Sequence, residues 1–388
     1  MLQTNTDMSH NIMIVAGESS GDLHGSNLIK AAAEHHPHLH FFGVGGDRMC
    51  AAGCKILFPS DELSVMGVVE VFSQFPKIYS RFKLLKQVLK GAERPDLLVL
   101  IDFPDFNLRL AKVAKAVGVP VLYYISPKVW AWRKGRAKTI ADRVDRLALI
   151  FPFEPQIYEN LGVQAEYVGN PLLDEFVQNQ PQGFLRQRLG IAGDTQVVGI
   201  FPGSRNSELN YILDTLVETA TQLYREKPGL KFLLPVAPSL TRDDIEQRFS
   251  GTDLPIYFVE ENIYEVGAAC DAVLTVSGTV TLQLTLVGTP MAILYKVAPL
   301  SYAIGRRLIK IEFAGLTNIV VGRGIVREFI QDDAQPIKMS DEILRLLDDQ
   351  KYIDVMRHDL QEVRRLLGGP GCSERVAEII AEMTVIQS

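Results

Sequence analysis

The chain has 388 residues, of which 47% are apolar, and a formal net charge of −6. This length exceeds what one ordinary hydrophobic core serves, and it predicts two globular domains. No apolar run approaches the roughly 20 residues of a membrane-spanning helix, and the first residues do not resemble a signal peptide, so we expect a cytoplasmic protein. The acidic charge argues against general nucleic-acid binding, and four scattered cysteines indicate reduced thiols.

Apolar strand-like runs alternate with helical stretches, which is typical of parallel sheets covered by helices. The runs span 12–16, 41–44, 97–101, 119–125 and 147–151, and then 197–201, 232–235, 256–259, 272–276 and 291–295. We predict two Rossmann-like domains, residues 1–170 and 190–388, joined by a polar linker. The final helices, the last capped by Ser373, are in a position to pack back on the N-terminal domain.

Carboxylates follow two predicted strands of the first domain. Glu18 lies in a small-residue turn that opens a helix, where it is either functional or only a charge favoured at a helix start. This turn lacks the glycine spacing of dinucleotide folds, so NAD binding is not expected. Asp102 and Asp105 follow the buried strand 97–101, where α/β proteins place active sites. One of the two is a candidate general base, and Asp105 fits a helix cap equally well.

Two turns of the second domain have the composition of phosphate sites. Strand 197–201 runs into Gly203, Ser204 and Arg205, and a guanidinium at a strand end can bind a diphosphate in fork geometry. Strand 272–276 runs into Ser277-Gly278-Thr279, where a helix start exposes backbone N–H groups. Either motif alone is weak, but together they predict a nucleotide-diphosphate site. No Asp-x-Asp pattern is present, so neither a metal ion nor another cofactor is implied.

The segment that begins at residue 65 is unusually apolar and is followed by a basic stretch without acids. Its apolar members are Val65, Met66, Val68, Val69 and Phe72, and its basic members are Lys77, Arg81, Lys83, Lys86 and Lys90. Apolar surface beside basic charge suits an anionic membrane, although an amphipathic core helix has the same pattern. The histidine-rich stretch 34–40 has no nearby carboxylate or thiol partners and is not expected to bind a metal ion.

The segments that carry the chemistry occur together in one known family. They are GESSGD at 17–22, VMGVVEV at 65–71, IDFPDFN at 101–107, SPKVWAWR at 126–133, PGSR at 202–205, SGT at 277–279 and LTN at 316–318. Along nearly its whole length the chain resembles the lipid-A-disaccharide synthases. The resemblance implies a GT-B architecture, in which two Rossmann-like domains with parallel sheets face each other across a cleft, and it places Asn318 among the UDP-sugar-binding residues.

The activity that the resemblance implies is an inverting transfer of 2,3-diacylglucosamine from UDP to 2,3-diacylglucosamine 1-phosphate. The products are a β-1,6 disaccharide and UDP. The family is peripheral on the cytoplasmic face of the inner membrane, an anionic surface, and forms homodimers, which the sequence itself neither supports nor opposes. One position departs from the GT-B pattern: Gln283 stands where these enzymes commonly have the glutamate that binds the ribose, and an amide can still make two hydrogen bonds there.

Two other functions are compatible with these motifs. A UDP-N-acetylglucosamine 2-epimerase shares the GT-B architecture and needs no acceptor site, but the apolar-basic segment after residue 65 argues against it. A non-catalytic nucleotide-sugar binding protein is supported only by Gln283.

Overall fold

A computed structural model describes residues 9–63, 68–131, 135–179, 181–204, 206–308 and 312–385. The chain divides into two compact units. Unit 1 comprises residues 1–174 and 370–388, and unit 2 comprises residues 175–369. The division falls inside a helix, Pro171–Gln178, and a second helix, Leu185–Arg188, follows it. The region 171–189 that we expected to link the two domains therefore contains two helices, on either side of its polar stretch.

Unit 1 is an α/β unit built on a parallel sheet. In its described part the strands are β1 His10–Ala16, β2 Leu39–Gly45, β3 Lys55–Pro59, β4 Leu97–Ile101, β5 Val121–Tyr124, β6 Arg146–Leu149 and β7 Gln164–Tyr167. The helices are α1 Ser19–His35, α2 Asp47–Ala51, α3 Val68–Lys90, α4 Pro104–Ala116, α5 Arg136–Ala141 and α6 Pro155–Tyr158, and α7 Pro171–Gln178 crosses into unit 2. A 3₁₀ helix spans Ser60–Glu62.

The strand order of unit 1 is β3-β2-β1-β4-β5-β6-β7. Both faces of the central strands are buried: Ile12 and Ile14 of β1 face one core cluster, and Met13 and Val15 face the other. This explains why β1 and β4 are continuous apolar runs in the sequence rather than alternating ones. The order reverses between β1 and β4, and α/β proteins bind ligands at the carboxyl ends of strands at such a point.

Unit 2 repeats this architecture. In its described part it contains α8 Leu185–Arg188, β8 Val197–Phe201, α9 Asn206–Glu226, β9 Lys231–Pro235, α10 Arg242–Phe249, β10 Ile256–Val259, α11 Ile263–Ala268, β11 Ala272–Val276, α12 Thr279–Val287, β12 Met291–Tyr295, α13 Pro299–Leu308, α14 Leu316–Val321, β13 Glu328–Ile330, α15 Pro336–Asp348 and α16 Gln350–Leu366, with a 3₁₀ helix at Gln331–Asp333. Its parallel sheet has the order β10-β9-β8-β11-β12-β13, which reverses between β8 and β11.

The last helix, α17 Cys372–Val385, belongs to unit 1 and packs on α1. Its first backbone N–H groups are capped by a carboxylate from α7, because Gly371 N donates to Asp174 Oδ1 at 2.6 Å and Ser373 N donates to Asp174 Oδ2 at 3.2 Å. The cap that we assigned to Ser373 is thus supplied by a distant residue, which ties the C-terminal helix to the body of unit 1.

Candidate functional site

The turn after β4 carries Asp102 in a strained backbone conformation. Asp102 and the next residue, Phe103, have φ of +45° and +48°, and Ile125, at the end of β5, has φ of +62°. Such values are uncommon for an aspartate and outliers for aromatic or β-branched residues. They cost of the order of 1–3 kcal/mol each and cluster at functional sites, where the surrounding structure holds them in place.

Hydrogen bonds from two buried side chains hold this turn. The Asp102 carbonyl accepts from Asn107 Nδ2 at 2.8 Å and from the Tyr123 hydroxyl at 2.6 Å. The Asp102 N–H donates to Tyr124 O at 3.2 Å. The backbone of Asp102 is therefore fixed to both α4 and β5, and its half-buried side chain leaves the sheet at the carboxyl edge.

The turn after β1 lies directly against the turn after β4. A Cβ atom at Gly17 would lie 2.4 Å from a ring carbon of Phe103, so only glycine permits this approach. The exposed Glu18 is thereby brought near Asp102. Burial raises the pKa of Asp102 above the ordinary carboxylate value, and the charge of Glu18 adds to this rise, whereas Lys128 opposes it. A carboxylate with a raised pKa is a better proton acceptor.

Three other acids near these turns have different surroundings. Asp105 is exposed on the first turn of α4 and forms an ion pair with Arg136. Glu18 is the N-cap residue of α1, but its side chain makes no capping hydrogen bond. Asp22, in the first turn of α1, is buried and accepts N–H bonds from Gly46 at 2.7 Å and Met49 at 3.1 Å. Asp22 is thus committed to holding the start of α2.

The two glycine turns of unit 2 leave adjacent strands. β8 and β11 pair in parallel, with Phe201 opposite Thr275, so the turns that follow them meet at one edge of the sheet. Gly203 has φ of +88°, and a Cβ there would lie 2.8 Å from Val276, at the end of β11. Gly278 has φ of +155° and precedes the first residue of α12, Thr279, which is exposed. The two turns therefore share the point at which the strand order of unit 2 reverses.

Ser204, Ser277 and Gln283, which were also predicted to bind the UDP-sugar, each contact a neighbouring residue of unit 2. Ser204 is exposed, and its carbonyl accepts from the Ser239 hydroxyl at 2.7 Å. The Ser277 hydroxyl donates to Ala314 O at 2.7 Å. Arg205 lies outside the described residues. Gln283 is half-buried on α12, and its amide nitrogen lies 3.4 Å from Glu175 Oε1.

Asn318 is fully buried, and among the described residues its side-chain hydrogen-bond partners belong to unit 2. Its amide oxygen accepts from Ile325 N at 2.9 Å and Val326 N at 3.0 Å. Its amide nitrogen donates to Val326 O at 2.8 Å and Glu328 Oε1 at 2.7 Å. Described residues thus fill all four positions of the amide. In this structure the Asn318 side chain is thus saturated by its neighbours, and its contact with a UDP-sugar stays a prediction.

Asn318 nevertheless connects to the turn after β11. Glu328, its partner, also accepts from Ala314 N at 2.6 Å and Gly315 N at 2.9 Å. Ala314 in turn accepts the hydrogen bond from the Ser277 hydroxyl. The Asn318–Glu328 pair therefore positions the segment against which Ser277 is held. Glu328 carried no sequence signal, because its role depends on a contact between β13 and a preceding loop.

The side chains of the predicted apolar surface lie outside the described part of the structure. Val65 and Met66 fall outside the described residues, and Val68, Val69 and Phe72 are described only as backbone of α3. Further along α3, Lys77 Nζ and Arg81 Nε lie 3.8 and 2.5 Å from Glu62 Oε2. The Lys83 ammonium lies over the ring of Tyr79. No described helix combines the length and apolarity needed to cross a membrane.

The histidine-rich stretch does not form a metal site within the ranges that the structure describes, where no three His, Cys, Asp or Glu side chains are grouped to hold an ion. His36 and His38 instead approach edge to face, with ring centroids 6.0 Å apart.

Comparison with solved structures identifies the fold. A UDP-N-acetylglucosamine 2-epimerase from Neisseria meningitidis bound to UDP-GlcNAc superposes with a TM-score of 0.65 at 12% identity, covering 96% of this chain and 100% of that one. The glycosyltransferase of kitacinnamycin superposes with a TM-score of 0.61 at 16% identity, covering 97% and 99%. The predicted GT-B fold class is confirmed, and at these identities the likeness to the epimerase is one of fold alone.

Comparison of sequences identifies the family. The lipid-A-disaccharide synthetase family model matches residues 12–383. A lipid-A-disaccharide synthase from Syntrophotalea carbinolica is 56% identical over 373 residues, which cover 96% of this chain and 95% of that protein. With its two α/β units and its strand-edge turns, the chain belongs to the lipid-A-disaccharide synthase family.

Proposed function

We propose that this protein is an inverting glycosyltransferase that makes the lipid A disaccharide. It transfers 2,3-diacylglucosamine from its UDP donor to the 6-hydroxyl of 2,3-diacylglucosamine 1-phosphate. Besides membership of the family, the proposal is carried by a pair of strand-edge sites. In unit 1, a carboxylate on a strained backbone turn lies where the strand order reverses, and in unit 2 two glycine turns lie where its strand order reverses. Mass spectrometry of a reaction with both substrates tests it, and the expected products are the disaccharide 1-phosphate and UDP.

Asp102 acts as the general base in this proposal. Inversion by a single displacement needs a base on the acceptor side, which takes the proton of the 6-hydroxyl while its oxygen forms the new bond to the donor's anomeric carbon. The bond from that carbon to the UDP oxygen breaks, and UDP leaves with the electron pair. The raised pKa and partial burial of Asp102 support this role. Asp105 is less suitable, because Arg136 neutralises it, and Glu18 acts on Asp102 through its charge.

The turns after β8 and β11 bind the UDP in this proposal. Gly203, Gly278 and Thr279 present backbone groups at a helix start, where N–H dipoles stabilise the diphosphate charge without a metal ion. Arg205, which follows the first turn in sequence, supplies the guanidinium. Gln283 faces the ribose.

We also propose that the segment 65–75, with the exposed Lys77 and Lys83, holds the protein on an anionic membrane, the cytoplasmic face of the inner membrane. Each such cation contributes about 1 kcal/mol of attraction. Sedimentation with anionic vesicles checks this, and the combined change Met66→Asp, Lys77→Glu and Lys83→Glu is expected to release the protein. Lys138, an exposed lysine of α5, gives the control variant Lys138→Glu. Equal sedimentation of all three proteins would contradict the assignment.

Epimerisation of UDP-N-acetylglucosamine without an acceptor is the competing activity. The same reaction mixture, with that nucleotide sugar as the only substrate, distinguishes the two. Accumulation of the 2-epimer, with no disaccharide from the acylated substrates, would overturn the proposed function.

A further inference from the structure

A buried carboxylate that the proposed mechanism does not use lies at the carboxyl edge of the sheet of unit 1. Glu154 follows β6 and is 2% exposed. Its Oε1 accepts from the Trp130 indole N–H at 3.1 Å, and its Oε2 accepts from Phe151 N at 3.0 Å. The Trp130 ring packs edge-on against Phe151 and Phe153, with centroids 6.0 and 5.4 Å away. The buried Glu154 carboxylate is thus hydrogen bonded to a cluster of three aromatic rings, Trp130, Phe151 and Phe153, through the indole of Trp130.

This cluster anchors the segment 126–131, which leads from β5 towards α5. At its start, the Ser126 hydroxyl is hydrogen bonded to the Tyr158 hydroxyl at 2.8 Å. Towards its end, Trp130 is held by Glu154. Both anchoring groups lie on the same short stretch after β6, whereas Lys128, between the two anchors, is exposed. The segment is therefore fixed at two points, with the exposed Lys128 between them.

The same segment is tied to Asp102. The backbone of Tyr124 accepts from Asp102 N at 3.2 Å, and the Tyr123 hydroxyl donates to Asp102 O at 2.6 Å. Segment 126–131 begins two residues after Tyr124. The Lys128 ammonium lowers the pKa of both Asp102 and Glu154, so it is within electrostatic reach of the two carboxylates.

We propose that Glu154 is a positioning residue that acts through Trp130, fixing segment 126–131 so that Lys128 binds the phosphate of the acceptor beside Asp102. The inference rests on the proposed function, in which the acceptor carries an anomeric phosphate. The ring carbon that bears the phosphate and the ring carbon that bears the 6-hydroxymethyl group are both bonded to the ring oxygen of one sugar, so a base and a cation that recognise the same acceptor must lie close together. A buried carboxylate that accepts two N–H bonds is a rigid anchor for this purpose.

Steady-state kinetics of Glu154→Leu test the positioning role. We expect the acceptor KM to rise about tenfold or more, because removal of a hydrogen bond to a charged group has effects of that size. The dissociation constant for UDP, measured by calorimetry, should stay unchanged, since a general loss of structure would move both. Glu154→Gln retains an oxygen for the indole N–H and should have a smaller effect. Glu159→Leu, which removes an exposed carboxylate from the same stretch, is the matched control.

Trp130→Phe provides a second test if Glu154→Leu does not fold, because it removes the indole N–H group and keeps an aromatic ring, although a smaller one, against Phe151 and Phe153. The double variant Trp130→Phe, Glu154→Gln should raise the acceptor KM no more than Trp130→Phe alone, since both changes act on one hydrogen bond. An acceptor KM equal to wild type in both Trp130→Phe and folded Glu154→Leu would overturn the inference, and so would additive effects.

The proposed contact of Lys128 with the acceptor's phosphate is tested separately, by comparing acceptors with and without that phosphate. Lys128→Gln should raise the KM of the phosphorylated acceptor and leave that of 2,3-diacylglucosamine without phosphate unchanged, whereas Lys138→Gln should change neither. A rise that is independent of the acceptor's phosphate, or no rise, would overturn it. Failure of the wild-type protein to form any disaccharide would instead refute the proposed function, so the two failures are distinguishable.

Discussion

The buried Glu154 makes the stability of unit 1 depend on pH in a direction opposite to that of a salt-bridged carboxylate. Burial raises the pKa of Glu154 from 4.5 to about 7, although the N–H bonds from Phe151 and Trp130 oppose the rise. Between these two values the folded state holds more protons than the unfolded state. The free energy of unfolding is therefore highest below the unfolded pKa and falls as the pH rises through this window.

The size of the effect follows from the pKa difference. A shift of about 2.5 units at about 1.4 kcal/mol per unit corresponds to roughly 3 kcal/mol, lost as the pH rises from about 4.5 to above 7. The pKa of Tyr158 is raised to about 12 and that of Tyr167 is raised also, so these neighbours stay neutral in this window.

The perturbation is Glu154→Gln, which cannot ionise. The free energy of unfolding of the variant minus that of the wild type should increase by about 2.5 kcal/mol between about pH 5 and pH 8. Urea unfolding followed by tryptophan fluorescence measures it, because the two tryptophans, Trp130 and Trp132, both belong to unit 1. Glu159→Gln is the control for the removal of an exposed charge. A difference between variant and wild type that is constant across this range would refute the reasoning.

Three further outcomes are expected. Asp102→Asn should lower kcat by about 10²- to 10⁴-fold in the disaccharide assay, because it removes the proposed general base. UDP affinity should stay near normal, since asparagine tolerates the positive φ of this position. Near-wild-type turnover in Asp102→Asn, with a collapse of turnover in Glu18→Gln or Asp105→Asn, would move the role of the base to that other residue. Arg205→Ala should weaken UDP binding by about 10- to 100-fold in calorimetry, and unchanged affinity in a folded variant would exclude a diphosphate contact. Gln283→Glu should retain UDP binding by the same measurement, whereas its complete loss in a folded variant would show that the ribose assignment is wrong.

The central strands of both sheets were predictable from the sequence. Residues 97–101, 197–201 and 272–276 form strands with the predicted bounds, because a parallel strand covered on both faces is an uninterrupted apolar run. The edge strand β10 was also predicted with its observed bounds, 256–259, because its sequence IYFV is an uninterrupted apolar run, whereas the edge strands β3, β7 and β13 were not predicted. β7 alternates polar and apolar residues in QAEY and β13 is only three residues long, so their sequences lack that signal.

The sequence by itself therefore determined the two parallel α/β units and the strand ends at which polar and glycine-rich turns occur, since both depend on patterns within a few residues. Only the tertiary structure decided which turns meet, because strand order places β1 beside β4 and β8 beside β11. It also showed Asn318 saturated by its neighbours, Glu154 buried, and α17 capped by Asp174, which lies 197 residues before Gly371. Contacts between distant segments fix burial and hydrogen-bond partners, and these in turn decide whether a polar side chain supports the fold or is available to a substrate.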